Sequence, residues 1–317
     1  MVIADREVWE RMGIERQLSA SNLSIRRGTA FASSETAMIA MATDAHVLAV
    51  GLGPVTARVL QTASSLELVV KCGIGTDNID LQEATRRKIR VVRTSGVNFG
   101  GVAEYVIGSC ISYYRRLARL DSAVRAGQWA EAREAWAGNL ASLSGKSLGM
   151  IGYGAIGRQL AHLAAAHGMD VMAFDPYATS EGDSVRMVPL EQLLAEADIV
   201  SVHAVLSNET RGLIGEPQLA LMKPTAILVN TARGPIVQQE ALVDALRRGT
   251  IAGALLDVLE TEPPLPESAI LAAPNCLLSP HVAGCTADGY LEIGRRAAEL
   301  ITDYLSNRPF RERDVVA

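Results

Sequence analysis

The sequence predicts an α/β protein built on doubly wound parallel sheets, and three observations predict it. Short apolar runs alternate with longer stretches of helical periodicity, which is the rhythm of βαβ units. The 317 residues are too many for one ordinary core and suit two domains. Hydrophobic residues make up 49% and charged residues 21% of the chain, the balance of a globular α/β protein.

Taken in order, HVLAVGL (46–52), LELVVKCG (66–73) and KIRVVRTSG (88–96) read as strands of one unit, joined by helices over 54–64 and 81–87. Residues 100–120 carry apolar groups at helical spacing and end in a basic turn, which favours a helix C-terminus, so one long helix is expected to lead into a second unit. From Lys146 the rhythm sharpens into SLGMIGYG, DVMAFDP, ADIVSVHAV, AILVNTARG, AGALLDVL and CLLSPH, six candidate strands of a second doubly wound sheet. The stretch 287–305 then sets Tyr290, Ile293, Ala297, Leu300, Ile301 and Tyr304 on one helical face. That face can pack back on the first unit. The expected division is therefore 1–98 completed by 288–317, and 99–287.

Several function classes are disfavoured early. The formal charge is -5 and no basic cluster follows a nucleic-acid backbone, so no nucleic-acid partner is expected. No run is long and apolar enough to span a bilayer, and no membrane partner is expected. The four cysteines, Cys72, Cys110, Cys276 and Cys285, lack the paired spacing of a zinc site and read as packing thiols, with no metal expected. The first residues, MVIADREVWERMG, put charges where a signal peptide needs an apolar core, so the expected location is cytoplasmic.

GYGAIG, residues 152–157, follows one candidate strand and opens a helix. Gly152 permits the tight turn, Gly154 lets backbone approach a pyrophosphate, and Gly157 permits close helix packing. Asp175 ends the next strand about 20 residues on, where a carboxylate accepts from ribose hydroxyls and repels a 2′-phosphate. A GxGxxG alone also arises in ordinary turns; with strand, helix and acid in place it indicates a Rossmann-like domain binding NAD.

In such sheets ligands lie at the carboxyl ends of the strands. The residues there are His203, then Asn230, Thr231 and Arg233, then Asp257, then His281. Arg233 presents a rigid fork suited to a carboxylate and an adjacent carbonyl, although most arginines merely face solvent. Glu262 sits in the Pro-rich ETEPPLP and His281 in LSPHVAGCT. Each alone reads as a solvated loop residue. Together, a carboxylate that favours the imidazolium and fixes the ring makes a general acid for a carbonyl receiving hydride.

The stretches KCGIGTDNID, GVNFGGVAE, GKSLGMIGYGAIGR, VNTARGPIV, GALLDVLETEPP and SPHVAGCT, in this order, resemble the D-isomer-specific 2-hydroxyacid dehydrogenase family over about residues 46–310. The resemblance implies two Rossmann-like domains with a cleft between them and an NAD-dependent oxidoreductase. It implies that Arg233 holds the substrate carboxylate, His281 is the acid/base and Glu262 its partner. Gly73, Ile74 and Gly75 contact substrate through backbone. It implies that Asp175 binds the adenosine ribose, Ala155 and Ile156 the pyrophosphate, and Thr231, Ala232, Asp257 and Gly284 the nicotinamide side; Gly152, Gly154, Gly157, His203, Arg233 and His281 complete the expected cofactor contacts. Proteins similar to this one form homodimers partly through the segment here reading VRAGQWAEAREAWAGNL, where Trp129 and Trp136 suit an interface.

Departures bear on the substrate. Phosphoglycerate dehydrogenases usually carry an arginine in the turn that here offers Gly51, Leu52 and Gly53, so the expected substrate is a small, unphosphorylated 2-hydroxy or 2-oxo acid. Ala204 and Val205 follow His203 where the family often has Pro. The turn GLGPVT is similar to that of corepressors of this fold. An NAD(H)-binding regulator or scaffold, and a phosphoglycerate dehydrogenase, stand as alternatives; the joint presence of Arg233, Glu262 and His281 favours the enzyme.

Overall fold

The computed structural model describes residues 2–4, 8, 10–18, 24–27, 34–178 and 185–317. The chain divides into two compact units, Met1–Asn98 with Cys285–Ala317, and Phe99–Gly284. The passages fall at 98/99 and 284/285, where the sequence suggests 98/99 and 287/288.

The first unit holds five strands: β1 (Val2–Ala4), β2 (Ile25–Arg27), β3 (Val47–Val50), β4 (Leu68–Lys71) and β5 (Arg90–Arg93). They lie in the order β2-β1-β3-β4-β5, all parallel, so the winding reverses between β1 and β3. Along β3, Val47 and Ala49 enter one core while Leu48 and Val50 enter the other. Burial on both faces is why this strand is an unbroken apolar run rather than an alternating one. The helix Ala287–Leu305 is capped by Thr286, whose hydroxyl accepts from the Gly289 amide at 3.1 Å. It buries Tyr290, Ile293, Ala297, Leu300 and Ile301 in the core that holds Val47, Leu68 and Val70, with Tyr304 packed at its margin. β1 and β2 escape the sequence reading because three residues are too few to set a period.

The second unit contains β6 (Ser147–Ile151), β7 (Asp170–Phe174), β8 (Arg186–Met187), β9 (Ile199–Val202), β10 (Ile227–Asn230), β11 (Gly253–Leu256) and β12 (Cys276–Leu278). Their order is β12-β11-β10-β9-β6-β7-β8, again all parallel. The switch point lies between β6 and β9, and the glycine-rich turn leaves β6 there. The six expected strands are present, and the two-residue β8 adds a seventh.

One expectation is corrected. The helix read over 100–120 ends at Tyr114, and a separate helix covers Leu117–Arg125. Arg116 between them has φ 54° and lays its guanidinium over the rings of Tyr113, at 4.5 Å, and Trp136, at 5.6 Å. These stacking contacts hold a left-handed residue at the joint, and the apolar period, which continues past it, does not reveal the break. The four cysteines are free thiols; burial pushes Cys110 and Cys276 up to about 12, far from a reactive range. Among the described residues no helix is long and apolar enough to cross a membrane.

Candidate active site

The loop after β6 turns at Gly152, with φ +100°. A β-carbon there would lie 2.7 Å from the backbone of His203 and Ala204, so only glycine lets the turn rest against the chain leaving β9. Gly154 caps the helix Ala155–Ala166, and a β-carbon on it would meet no described atom within 4 Å. On Gly157 it would lie 2.7 Å from the carbonyl oxygen of Gly152. Helix and turn are therefore pressed together while the side at Gly154 stays clear. Ala155 and Ile156 open the helix, where amides lack intrahelical partners and the dipole is positive.

Asp175, just beyond β7, accepts from the Tyr153 amide with one carboxylate oxygen and from the Tyr177 amide with the other, both at 2.8 Å. The acid is thus tied directly to the glycine turn. Beyond β9, His203 Nε2 pairs with the Ser201 hydroxyl at 2.8 Å, and burial pushes the imidazole down to about 4, which keeps it neutral near pH 7. Its Nδ1 and the Thr231 hydroxyl beyond β10 are buried without a partner among the described residues. A turn clear of side chains, an acid beside it and two orphaned polar atoms at adjacent strand ends fit a dinucleotide.

The loops after β10, β11 and β12 are built against one another. Asn230, 1% exposed, accepts from the Ala232 amide and donates to the Arg233 carbonyl, both at 3.0 Å, which fixes the turn carrying Arg233. The next residue, Gly234, lies so close to the Leu259 carbonyl that a β-carbon would sit 1.9 Å from its oxygen. That contact brings the arginine turn against the loop holding Glu262. One Glu262 oxygen accepts from the Leu259 amide at 2.9 Å, and the other meets His281 Nδ1 at 2.7 Å. Burial works against the Glu262 charge, but the hydrogen bond and charge of His281, the Leu259 amide and the charge of Arg233 together hold its carboxyl below the usual range. With the acid ionised, Nδ1 donates to it, which fixes the orientation of the ring.

Asp257 is 2% exposed and carries a heavy share of the bonding here. Its carbonyl accepts from the His281 amide, and its carboxylate from the amides of Val282 and Ala283, each at 2.8 Å, and from the Ser279 hydroxyl. The Ser279 hydroxyl in turn meets the phenol of Tyr105. Sequence reading misses Tyr105 and Ser279, since 174 positions separate them and no local pattern links them.

In the first unit Gly73 has φ +144° after β4, and its amide donates to the Thr94 hydroxyl at 2.9 Å. Arg93 donates to the Ile74 carbonyl at 3.3 Å. The amides of Ile74 and Gly75 have no acceptor among the described residues. Of the three amides expected to face substrate, that of Gly73 is thus already used within the loop.

Residues 107–283 match the family model described as D-isomer specific 2-hydroxyacid dehydrogenase, NAD binding domain. A glyoxylate reductase of Korarchaeum cryptofilum is 40% identical over 258 residues, covering 80% of this chain and 76% of that protein. A D-3-phosphoglycerate dehydrogenase of Archaeoglobus fulgidus is 38% identical over 260 residues, 81% of this chain; the chain spans only 49% of that protein's length. Among solved structures, the TT0316 protein of Thermus thermophilus superposes with a TM-score of 0.88 at 30% identity over the whole of both chains. The D-lactate dehydrogenase of Aquifex aeolicus, complexed with NAD and lactic acid, gives 0.85 at 25% identity over 97% of this chain and 96% of that one. With this family's NAD-binding domain spread over more than half its length and its sheets wound as the neighbours' are, the chain belongs to the D-isomer-specific 2-hydroxyacid dehydrogenases.

Proposed function

We propose that the protein interconverts a small, unphosphorylated D-2-hydroxy acid and its 2-oxo acid, with His281 as acid/base, Glu262 as its charged partner and Arg233 as the substrate's carboxylate clamp. The observation that carries the reading is the 2.7 Å contact between His281 Nδ1 and Glu262, made on a loop packed against the turn of Arg233.

NADH, when bound, supplies the hydride. The protein's residues supply position and the proton. Arg233 holds the carboxylate and polarises the adjacent carbonyl, joined in this reading by the amides of Ile74 and Gly75. Protonated His281, its ring fixed by Glu262, gives the Nε2 proton to the carbonyl oxygen as the alkoxide forms; in the oxidative direction neutral Nε2 takes it back. The cofactor is held by the turn from Gly152 to Gly157, by Asp175 at the ribose, and by His203, Thr231, Ala232 and Gly284 toward the nicotinamide. Neutral His203 suits that place, because a second cation there would oppose formation of the oxidised nicotinamide.

Glyoxylate and hydroxypyruvate are the substrates to try first, given relatives named as their reductases at 40% and 36% identity. The turn Gly51, Leu52, Gly53 carries no cationic side chain of its own for a phosphate, and the Lys71 ammonium beside it is bonded to the Gly51 carbonyl. The working assembly in this reading is a cytoplasmic homodimer. The test is a panel of glyoxylate, hydroxypyruvate, pyruvate and 3-phosphohydroxypyruvate with NADH, followed by absorbance loss. Turnover of glyoxylate or hydroxypyruvate, reduced by ~10²–10⁴-fold in His281→Ala with NADH affinity kept, is the expected result. An active His281→Ala enzyme, or preference for the phosphorylated acid, overturns the reading.

A further inference from the structure

We propose that Tyr105, acting through Ser279 and Asp257, is a positioning residue that holds His281 in its working orientation. The inference rests on the acid/base role proposed for His281 and names the device behind it.

His281 has φ 55°, a left-handed backbone that a β-carbon resists. Such a conformation persists where its surroundings over-determine it, and here three backbone amides do so. Those of His281, Val282 and Ala283 all donate to Asp257, the first to its carbonyl and the others to its two carboxylate oxygens. The turn at His281 points two successive amides at one anion, so the loop is a nest and the Asp257 carboxylate fills it. A carboxylate 2% exposed is stable there because its oxygens are met by donors.

The remaining donor to Asp257 is the Ser279 hydroxyl, and this fixes a direction. Serine has one hydroxyl proton. Once that proton is given to Asp257, Ser279 Oγ can only accept, so in the contact with Tyr105 the phenol is the donor. The relay runs from Tyr105 to Ser279 to Asp257 to the backbone of His281. Tyr105 stands on the helix Phe99–Tyr114, with its neighbours Ala103, Val106 and Ile107 buried in the core of the second unit. The histidine turn is in this way tied to a rigid element rather than to its own loop. Burial raises the Tyr105 phenol above its ordinary value, so it keeps the proton that the relay requires.

The test compares Tyr105→Phe, Ser279→Ala, Ser279→Thr and the double variant Tyr105→Phe/Ser279→Ala with the parent enzyme, using glyoxylate and NADH. Losing one hydrogen bond of the relay is expected to lower kcat about three- to tenfold, with the NADH dissociation constant unchanged. Ser279→Thr keeps the hydroxyl and restores the rate; the double variant is no slower than Ser279→Ala alone, because both breaks lie on one path. Proton NMR gives a reading independent of turnover: the downfield Nδ1 proton shared by His281 and Glu262 is expected to broaden in Tyr105→Phe. A variant that melts earlier yet keeps kcat and that resonance, or losses that multiply in the double variant, overturns the relay. Failure of the relay alone leaves His281→Ala inactive, whereas failure of the catalytic reading leaves His281→Ala active.

Discussion

The neighbours of Glu262 keep its carboxyl ionised to lower pH than water alone would, and that makes its contribution pH-dependent in a known direction. Its carboxyl lies below the usual range in the folded protein, so folding gains stability from it above the unfolded value of about 4.3, and loses that gain as pH falls through the folded value. Glu262→Gln removes the dependence. Urea unfolding from pH 7 down to pH 3 is expected to show a parent-minus-variant difference that is constant at neutral pH and shrinks in acid. The same substitution is expected to cost about tenfold or more in kcat, bounded by the ~10²–10⁴-fold that a positioned acid contributes. A difference that grows in acid would show that the folded protein raises the carboxyl rather than lowering it, against this reading. At this scale the sequence exposed the residues proposed to carry the chemistry, since Arg233, Glu262 and His281 each follow a strand. It concealed Tyr105 and Ser279, ordinary hydroxyls that only tertiary contact brings beside Asp257, and likewise Thr94, which meets the Gly73 amide in the first unit.

The glycine turn separates two demands that one motif merges. Gly152 is fixed by the protein itself, through positive φ and a 2.7 Å approach to the backbone beyond β9. Gly154 has no such neighbour among the described residues, so in the proposed reading its missing side chain leaves room for the phosphates of the cofactor. Gly152→Ala is therefore expected to lower both Tm and NADH affinity, while Gly154→Ala keeps stability within about 0.5 kcal/mol of the parent and weakens NADH binding. Calorimetry and fluorescence titration of the two variants check this; a Gly154→Ala protein that binds NADH as the parent does removes the phosphate-cradle role. Elements with a long period or a motif were legible from the chain, among them β6, the helix it feeds and the amphipathic Ala287–Leu305. The short β1, β2 and β8 and the joint at Arg116 were not, because pairing partners and ring stacking decide them.

At the scale of the whole chain, each unit closes its own sheet and fills both faces, yet one segment stands outside that pattern of burial. The helix Leu117–Arg125 buries none of its side chains, and the following helix, Trp129–Trp136, buries only Ala132. Helices of nine and eight residues are marginal in water unless an apolar face is packed. Here Leu117, Val124 and Trp129 remain 50%, 44% and 66% exposed. A surface of this kind is stable when a second copy covers it, and aromatic residues with arginines close by suit such a contact. Sedimentation at micromolar concentration is expected to give a dimer for the parent and a monomer for Trp129→Asp combined with Leu117→Asp, with circular dichroism showing loss confined to about these two helices' worth of signal. A parent that sediments as a monomer, or a double variant that stays dimeric, removes this segment as the interface. Because Asp257, Glu262 and His281 lie elsewhere in the second unit and are bonded within it, the monomer is expected to keep NADH binding even where the dimer is lost.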